Sequence, residues 1–127
     1  MKINHIALYT NQLEKMKQFY ETYFDGKSNE GYYNEKKQFR SYFITFQGDV
    51  RLEIMEKPSV EERDTSKESL GFIHMAFSVG SKENVERLTR RLIEDGYSLY
   101  SEPRVTGDGY FESCVGDPDG NHIEITI

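Results

Sequence analysis

The sequence predicts an α+β fold of two βαβββ modules whose strands build an open, curled mixed sheet. Two observations carry that prediction. The first is a weak internal duplication. His5-Ile6-Ala7-Leu8-Tyr9 is answered by His74-Met75-Ala76-Phe77-Ser78, Asp25-Gly26 by Asp95-Gly96, and Leu52-Glu53-Ile54 by Ile123-Glu124-Ile125. The offset between partners changes by a single residue from one match to the next, so the matches belong to one repeat. The second is that both halves show the same succession of periods, strand then helix then three strands. Two copies are too few for a solenoid and suit a duplicated supersecondary unit.

The elements follow in order. Ile3 to Tyr9 alternates as a strand. Asn11 then stands as a helix N-cap, with Glu14 three residues on to complete a capping box. Leu13, Met16, Tyr20, Tyr23 and Phe24 recur at helical spacing, and Gly26 stops the helix. Three strand-like runs follow, at 27–33, 39–46 and 50–55, with Gly48-Asp49 turning into the last. In the second half, 72–79 is a strand and Ser81 an N-cap. Val85, Leu88 and Leu92 share one face of a helix that ends at Gly96. Strands follow near 98–105, 110–115 and 122–127. Gly116-Asp117-Pro118-Asp119-Gly120 makes the last turn. The expected organisation is one domain over 1–127, with module one at about 1–57, a polar linker at 58–70 that can also cover a site, and module two at 71–127.

Composition narrows the function classes. The chain has 127 residues, 36% hydrophobic and 30% charged, which is a globular profile on the polar side. Its net charge of −6, without a basic tract, argues against nucleic acid or an anionic membrane as partner. Cys114 is the single cysteine, so no disulfide forms within the chain. No apolar run reaches membrane-spanning length, and the N-terminus lacks the apolar stretch of a secretory signal. A cytoplasmic protein with a small-molecule substrate is expected. A homodimer is expected too, because one exposed sheet edge per half invites pairing.

Strand alternation sorts the repeated residues by face. His5 shares a face with Ala7 and Tyr9, His74 with Ala76 and Ser78, and Glu124 with His122 and Thr126, while Leu52 and Ile54 flank Glu53. The apolar faces pack under the helices, and His5, Glu53, His74 and Glu124 point to the other side. Taken singly, each has a plain structural explanation. Recurrence of both residue types at matched positions points instead to a shared metal-binding cleft. A carboxylate between aliphatic neighbours is costly without a partner. Two neutral imidazoles and two carboxylates leave one divalent ion formally neutral, and thiolate-free N/O ligands suit Ni, Co, Mn, Fe(II) or Zn. Four protein ligands on an octahedral ion leave two positions open for chemistry. His122 is read as structural, because Arg51 holds its place in the first half. Cys114 is read as a small buried residue.

These residues resemble the vicinal oxygen chelate superfamily, which holds glyoxalase I, fosfomycin- and bleomycin-resistance proteins, methylmalonyl-CoA epimerase and extradiol dioxygenases. Three stretches carry the likeness: His5-Ile6-Ala7, Gly71-Phe72-Ile73-His74-Met75-Ala76-Phe77, and Asp117-Pro118-Asp119-Gly120-Asn121-His122-Ile123-Glu124. The ligand set resembles the His-Glu-His-Glu set of bacterial glyoxalase I, which implies nickel or cobalt ahead of zinc, manganese or iron. It implies isomerisation of a 2-oxoaldehyde–thiol hemithioacetal, with Glu124 as the catalytic base and Glu53 holding the metal. Epimerases of the superfamily usually carry Gln at the place of Glu53, and bleomycin-binding members have lost the ligands. A small-molecule-binding or resistance-type member, or an epimerase, is the alternative. Glutathione-using enzymes of this type usually place an arginine four residues after the first histidine and an asparagine shortly after the first glutamate. Tyr9 and Glu56-Lys57-Pro58 stand there instead. Lys57, Arg40 or Arg104 is then the candidate to hold an anionic group.

Overall fold

A computed structural model describes residues 1–64 and 66–127. The α+β class and the two modules are as the sequence predicts. The strands form two separate mixed sheets, one in each of two compact units, Met1–Arg63 and Asp64–Ile127.

The first unit runs β1 (His5–Tyr9), α1 (Leu13–Tyr23), β2 (Lys27–Ser28), β3 (Tyr32–Asn34), β4 (Phe39–Thr45) and β5 (Arg51–Glu56). Its sheet order is β1-β5-β4-β2, with β3 also on β4. The run expected as one strand over 27–33 is thus two short pieces. Gly31, at φ 89°, breaks it, and a Cβ there would lie 2.6 Å from the Tyr42 ring. A 3-10 turn, Glu35–Lys37, returns the chain to β4.

The capping box expected at Asn11 and Glu14 does not form. The N-cap is Gln12, without a side-chain capping bond. Glu14 instead accepts from Arg40 and, at 3.0 Å, from the Tyr42 hydroxyl, and Asn11 donates to Glu62. Tertiary partners with formal charge or a phenol outbid a local backbone N–H for the same carboxylate. The buried stripe of α1 is Leu13, Met16, Phe19 and Tyr20. Phe19 joins the stripe that the spacing picked out, and Tyr23 is only half-buried. The helix packs on β4 and β5, where Ile44, Leu52 and Ile54 are all at most 2% exposed.

The second unit runs β6 (His74–Ser78), α2 (Lys82–Glu94), β7 (Leu99–Val105), β8 (Phe111–Gly116) and β9 (His122–Thr126), in sheet order β6-β9-β8-β7. This repeats the β1-β5-β4-β2 order of the first unit. Ser81 caps α2 as expected, accepting from the Asn84 N–H at 3.2 Å. Its buried face is Val85, Thr89 and Leu92, so Thr89 takes the central place expected of Leu88. The Thr89 hydroxyl is satisfied there by the Val85 carbonyl and the Ser113 hydroxyl, both at 2.6 Å. The closing turn is held by Asp117, which accepts from the N–H groups of Asp119 and Asn121 and from the Asn121 side chain. No described helix is long and apolar enough to cross a membrane.

Candidate metal centre

The parallel pairings at the sheet edges position the candidate ligands. In β1–β5, His5 lies abreast of Arg51 and Ala7 abreast of Glu53. In β6–β9, His74 lies abreast of His122 and Ala76 abreast of Glu124. Each glutamate is therefore two residues along from the position facing its histidine, on the same side of the sheet. Each has an alanine directly beside it. That small neighbour leaves room for the imidazole to lean across the strand boundary.

The two pairs close accordingly. His5 Nε2 lies 3.9 Å from Glu53 Oε2, and His74 Nε2 lies 3.2 Å from Glu124 Oε2. The glutamates are the more covered partners, with side chains 17% and 21% exposed against 41% and 39% for the histidines. Leu52, Ile54, Ile123 and Ile125 fill the opposite face at 0–2% exposure, so the backbone cannot turn these carboxylates away without exposing the core. Each pair lies inside one unit. Among the described residues, no group of three or more His, Cys, Asp or Glu is placed to hold a metal ion. The expected four-ligand set is present as two pairs.

The donor chemistry of each pair fits a divalent metal. Two ligands at right angles on one ion, with bonds of about 2.1 Å, stand roughly 3 Å apart. The second pair already has that spacing and the first is slightly wider. Both present an imidazole Nε2 and a carboxylate oxygen, hard and borderline donors of the kind that bind Ni, Co, Zn, Mn or Fe(II).

The surroundings differ. His5 Nδ1 bonds the Asn4 side-chain oxygen at 2.9 Å, and its ring meets Phe43 edge-on at 5.3 Å between centroids. Arg51 donates to the same Asn4 oxygen at 2.6 Å and lies over Phe43, 4.6 Å from the centroid. Phe43 faces Glu53 across β4–β5. In the second unit, Cys114 holds the matching place opposite Glu124. Burial, and then the charges of Glu124 and Glu112, push its thiol up to about 11, so it stays protonated at neutral pH. His122 stacks on Tyr100 at 4.2 Å, which suits a structural role. The sequence reading missed Asn4, Arg51 and Phe43. Asn4 and Arg51 are separated by most of a module in sequence, and only the parallel β1–β5 register joins them.

The three cations considered for an anionic group part ways. Arg40 sits between Glu14 and Glu56, the latter at 3.5 Å, on the helix-covered side of its sheet. Arg104 donates to Ser101. Lys57 is half-buried, with its ammonium 4.8 Å from the centroid of the Tyr9 ring. It has no carboxylate partner among the described residues.

The model of the Glyoxalase/Bleomycin resistance protein/Dioxygenase superfamily matches residues 2–125. The chain belongs to this superfamily. Among its relatives is the uncharacterized protein YwkD of Bacillus subtilis (strain 168), 31% identical over 126 residues, which cover 97% of this chain and 94% of YwkD. The structure of a glyoxalase family protein from Enterococcus faecalis superposes with a TM-score of 0.81 at 25% identity, over 99% of this chain and 97% of that one. The trypanothione-dependent glyoxalase I of Leishmania major superposes with a TM-score of 0.78 at 19% identity, over 99% of this chain and 86% of that one, and this shows the shared fold. Superfamily membership leaves the reaction to be argued from the site, because members of one fold carry different chemistries.

Proposed function

We propose that this protein is a metal-dependent isomerase of the glyoxalase I type, acting on the hemithioacetal of a 2-oxoaldehyde and a thiol. The observation that carries the reading is the pair of matched His–Glu contacts, His5–Glu53 and His74–Glu124, set by the same strand register in both units. In this reading the four side chains hold one divalent ion, nickel or cobalt ahead of zinc, manganese or iron, and the protein works as a cytoplasmic homodimer.

When bound, the ion supplies Lewis-acid polarisation of the two adjacent substrate oxygens. The protein's own groups do the rest. His5 and His74 offer neutral Nε2 donors. The Glu124 carboxylate takes the proton from the carbon that bears the thiol sulfur and returns it to the neighbouring carbonyl carbon. Glu53 stays a ligand. Lys57, over Tyr9 and with no carboxylate partner among the described residues, holds an anionic group of the thiol.

The test is isomerisation of hemithioacetals by metal-free protein reloaded with Ni, Co, Mn or Zn, first with methylglyoxal and glutathione and then with other thiols. Metal-dependent turnover is expected, falling by about 100- to 10,000-fold in Glu124→Gln. Tight metal binding without turnover on any thiol would overturn the reaction while leaving the metal centre. Light scattering that gives a monomeric mass would remove the homodimer.

A further inference from the structure

We propose that Asn4 is a positioning residue for His5: its side-chain oxygen, clamped by Arg51, keeps the imidazole proton on Nδ1 and leaves the Nε2 lone pair facing Glu53. The consequence for metal affinity rests on the metal centre proposed above. The tautomer itself does not.

The argument runs through what each group can donate. Arg51 is a guanidinium and has only donors. The Asn4 atom 2.6 Å from its Nη2 must therefore be the amide oxygen and not the amide nitrogen. The same oxygen lies 2.9 Å from His5 Nδ1. An amide oxygen only accepts, so Nδ1 must carry the hydrogen. Neutral imidazole has one N–H, which leaves Nε2 with a free lone pair, 3.9 Å from Glu53 Oε2. A histidine ring left to water favours the proton on Nε2, where it would block that atom as a ligand. Arg51 thus fixes the rotamer of Asn4, and Asn4 fixes the tautomer of His5. Outer hydrogen bonds of this kind orient metal-binding histidines and raise their basicity.

Packing supports the same geometry. Arg51 is itself held over Phe43, and the His5 ring abuts the same phenyl edge-on. One aromatic side chain therefore sets both the clamp and the ring it orients. Among the described residues of the second unit, no side chain takes the place of this clamp. The Ile73 side chain, in the place of Asn4, has no hydrogen-bond acceptor, and His122, abreast of His74, stacks on Tyr100.

The experiment compares the full-length parent, Asn4→Ala and Asn4→Asp. The tautomer of His5 is read from two-bond 1H–15N correlations in metal-free protein, at a pH where the ring is neutral. Zinc affinity is then read by competition with a chromophoric chelator. The parent and Asn4→Asp, which keeps an acceptor, are expected to show Nδ1–H. Asn4→Ala is expected to shift toward Nε2–H and to bind zinc about 10- to 100-fold more weakly. The same tautomer in the parent and Asn4→Ala, or equal zinc affinity, would overturn the proposal. A parent that binds no zinc overturns the metal centre, and loss of Nδ1–H in Asn4→Ala would then still support the clamp. Asn4 is exposed, so its replacement leaves the core intact.

Discussion

The two units carry one His–Glu pair on one strand register and support it by different means. In the first, His5 is braced by Asn4, Arg51 and Phe43. In the second, the Glu124 carboxylate is the partner described for the His74 ring, and Cys114 stands where Phe43 would. The cores differ too. Phe19, Tyr20 and Phe24 form an aromatic cluster under the first sheet, whereas the second relies on Val85, Leu92, Val115, Ile123 and Ile125. The two units share the His–Glu pair and differ in the neighbours that support it. Backbone register alone places a side chain to within its own reach, and several different neighbours can then fix its rotamer.

The largest test of that contrast is in the cores. Phe19→Ala removes a fully buried ring and is expected to cost about 3–5 kcal/mol. Val85→Ala, equally buried in the second unit, removes far less volume and should cost clearly less, by urea unfolding of each variant. Equal losses would mean that the aromatic cluster contributes no more than the aliphatic core.

The Asp-Gly corners sharpen the contrast next. Both follow a helix, yet the left-handed residue is Asp25, at φ 52°, in the first and Gly96, at φ 90°, in the second. Gly26 is needed for closeness instead. A Cβ there would lie 2.7 Å from Ile44 Cγ2 and 2.9 Å from the Tyr20 carbonyl oxygen, whereas one at Gly96 meets nothing within 4 Å. Gly26→Ala should cost about 1–3 kcal/mol through overpacking. Gly96→Asn meets no steric obstacle and, as a residue that visits the left-handed region, should cost less, about 0.5–1 kcal/mol of backbone strain. Thermal unfolding that ranks them the other way would refute this division of roles.

The caps predict a smaller difference. Ser81→Ala should destabilise by about 1 kcal/mol because it removes the bond to Asn84 N–H. Asn11→Ala should change stability little, since α1 has no side-chain cap bond.

The smallest effect is one of pH. The Cys114 thiol is pushed up to about 11 from the usual 9.0, so the folded state holds that proton more tightly than the unfolded chain. This favours folding below pH 9 and the advantage is lost as pH rises toward 11. Metal-free protein should accordingly alkylate slowly at pH 8 and much faster near pH 11. Fast alkylation at pH 8 would mean that the thiol lacks the burial, and the neighbouring charges of Glu124 and Glu112, that raise it.

Much of this was legible in the residues. The repeat announced two modules, and alternation put Glu53 and Glu124 opposite Leu52, Ile54, Ile123 and Ile125. Ser81 was readable as a cap because its partner is three residues away. Asn11 and Glu14 misled for the complementary reason: Arg40 and Tyr42, distant in sequence, competed for the carboxylate and won. Apolar spacing picks out Leu88 and passes over Thr89, whose hydroxyl becomes acceptable at the centre of the buried face only through Ser113 across the helix–sheet contact.

The sequence by itself determined the class, the duplication and the residue types that can hold a metal, because these follow from local period and from which side of a strand a residue occupies. Tertiary structure decided which neighbours hold those residues. The Asn4–Arg51 clamp, the opposed places of Phe43 and Cys114, and the separate duties of Gly26 and Gly96 all depend on contacts between strands and helices far apart in the chain, whose geometry is fixed only when the sheets pair and the helices pack on them.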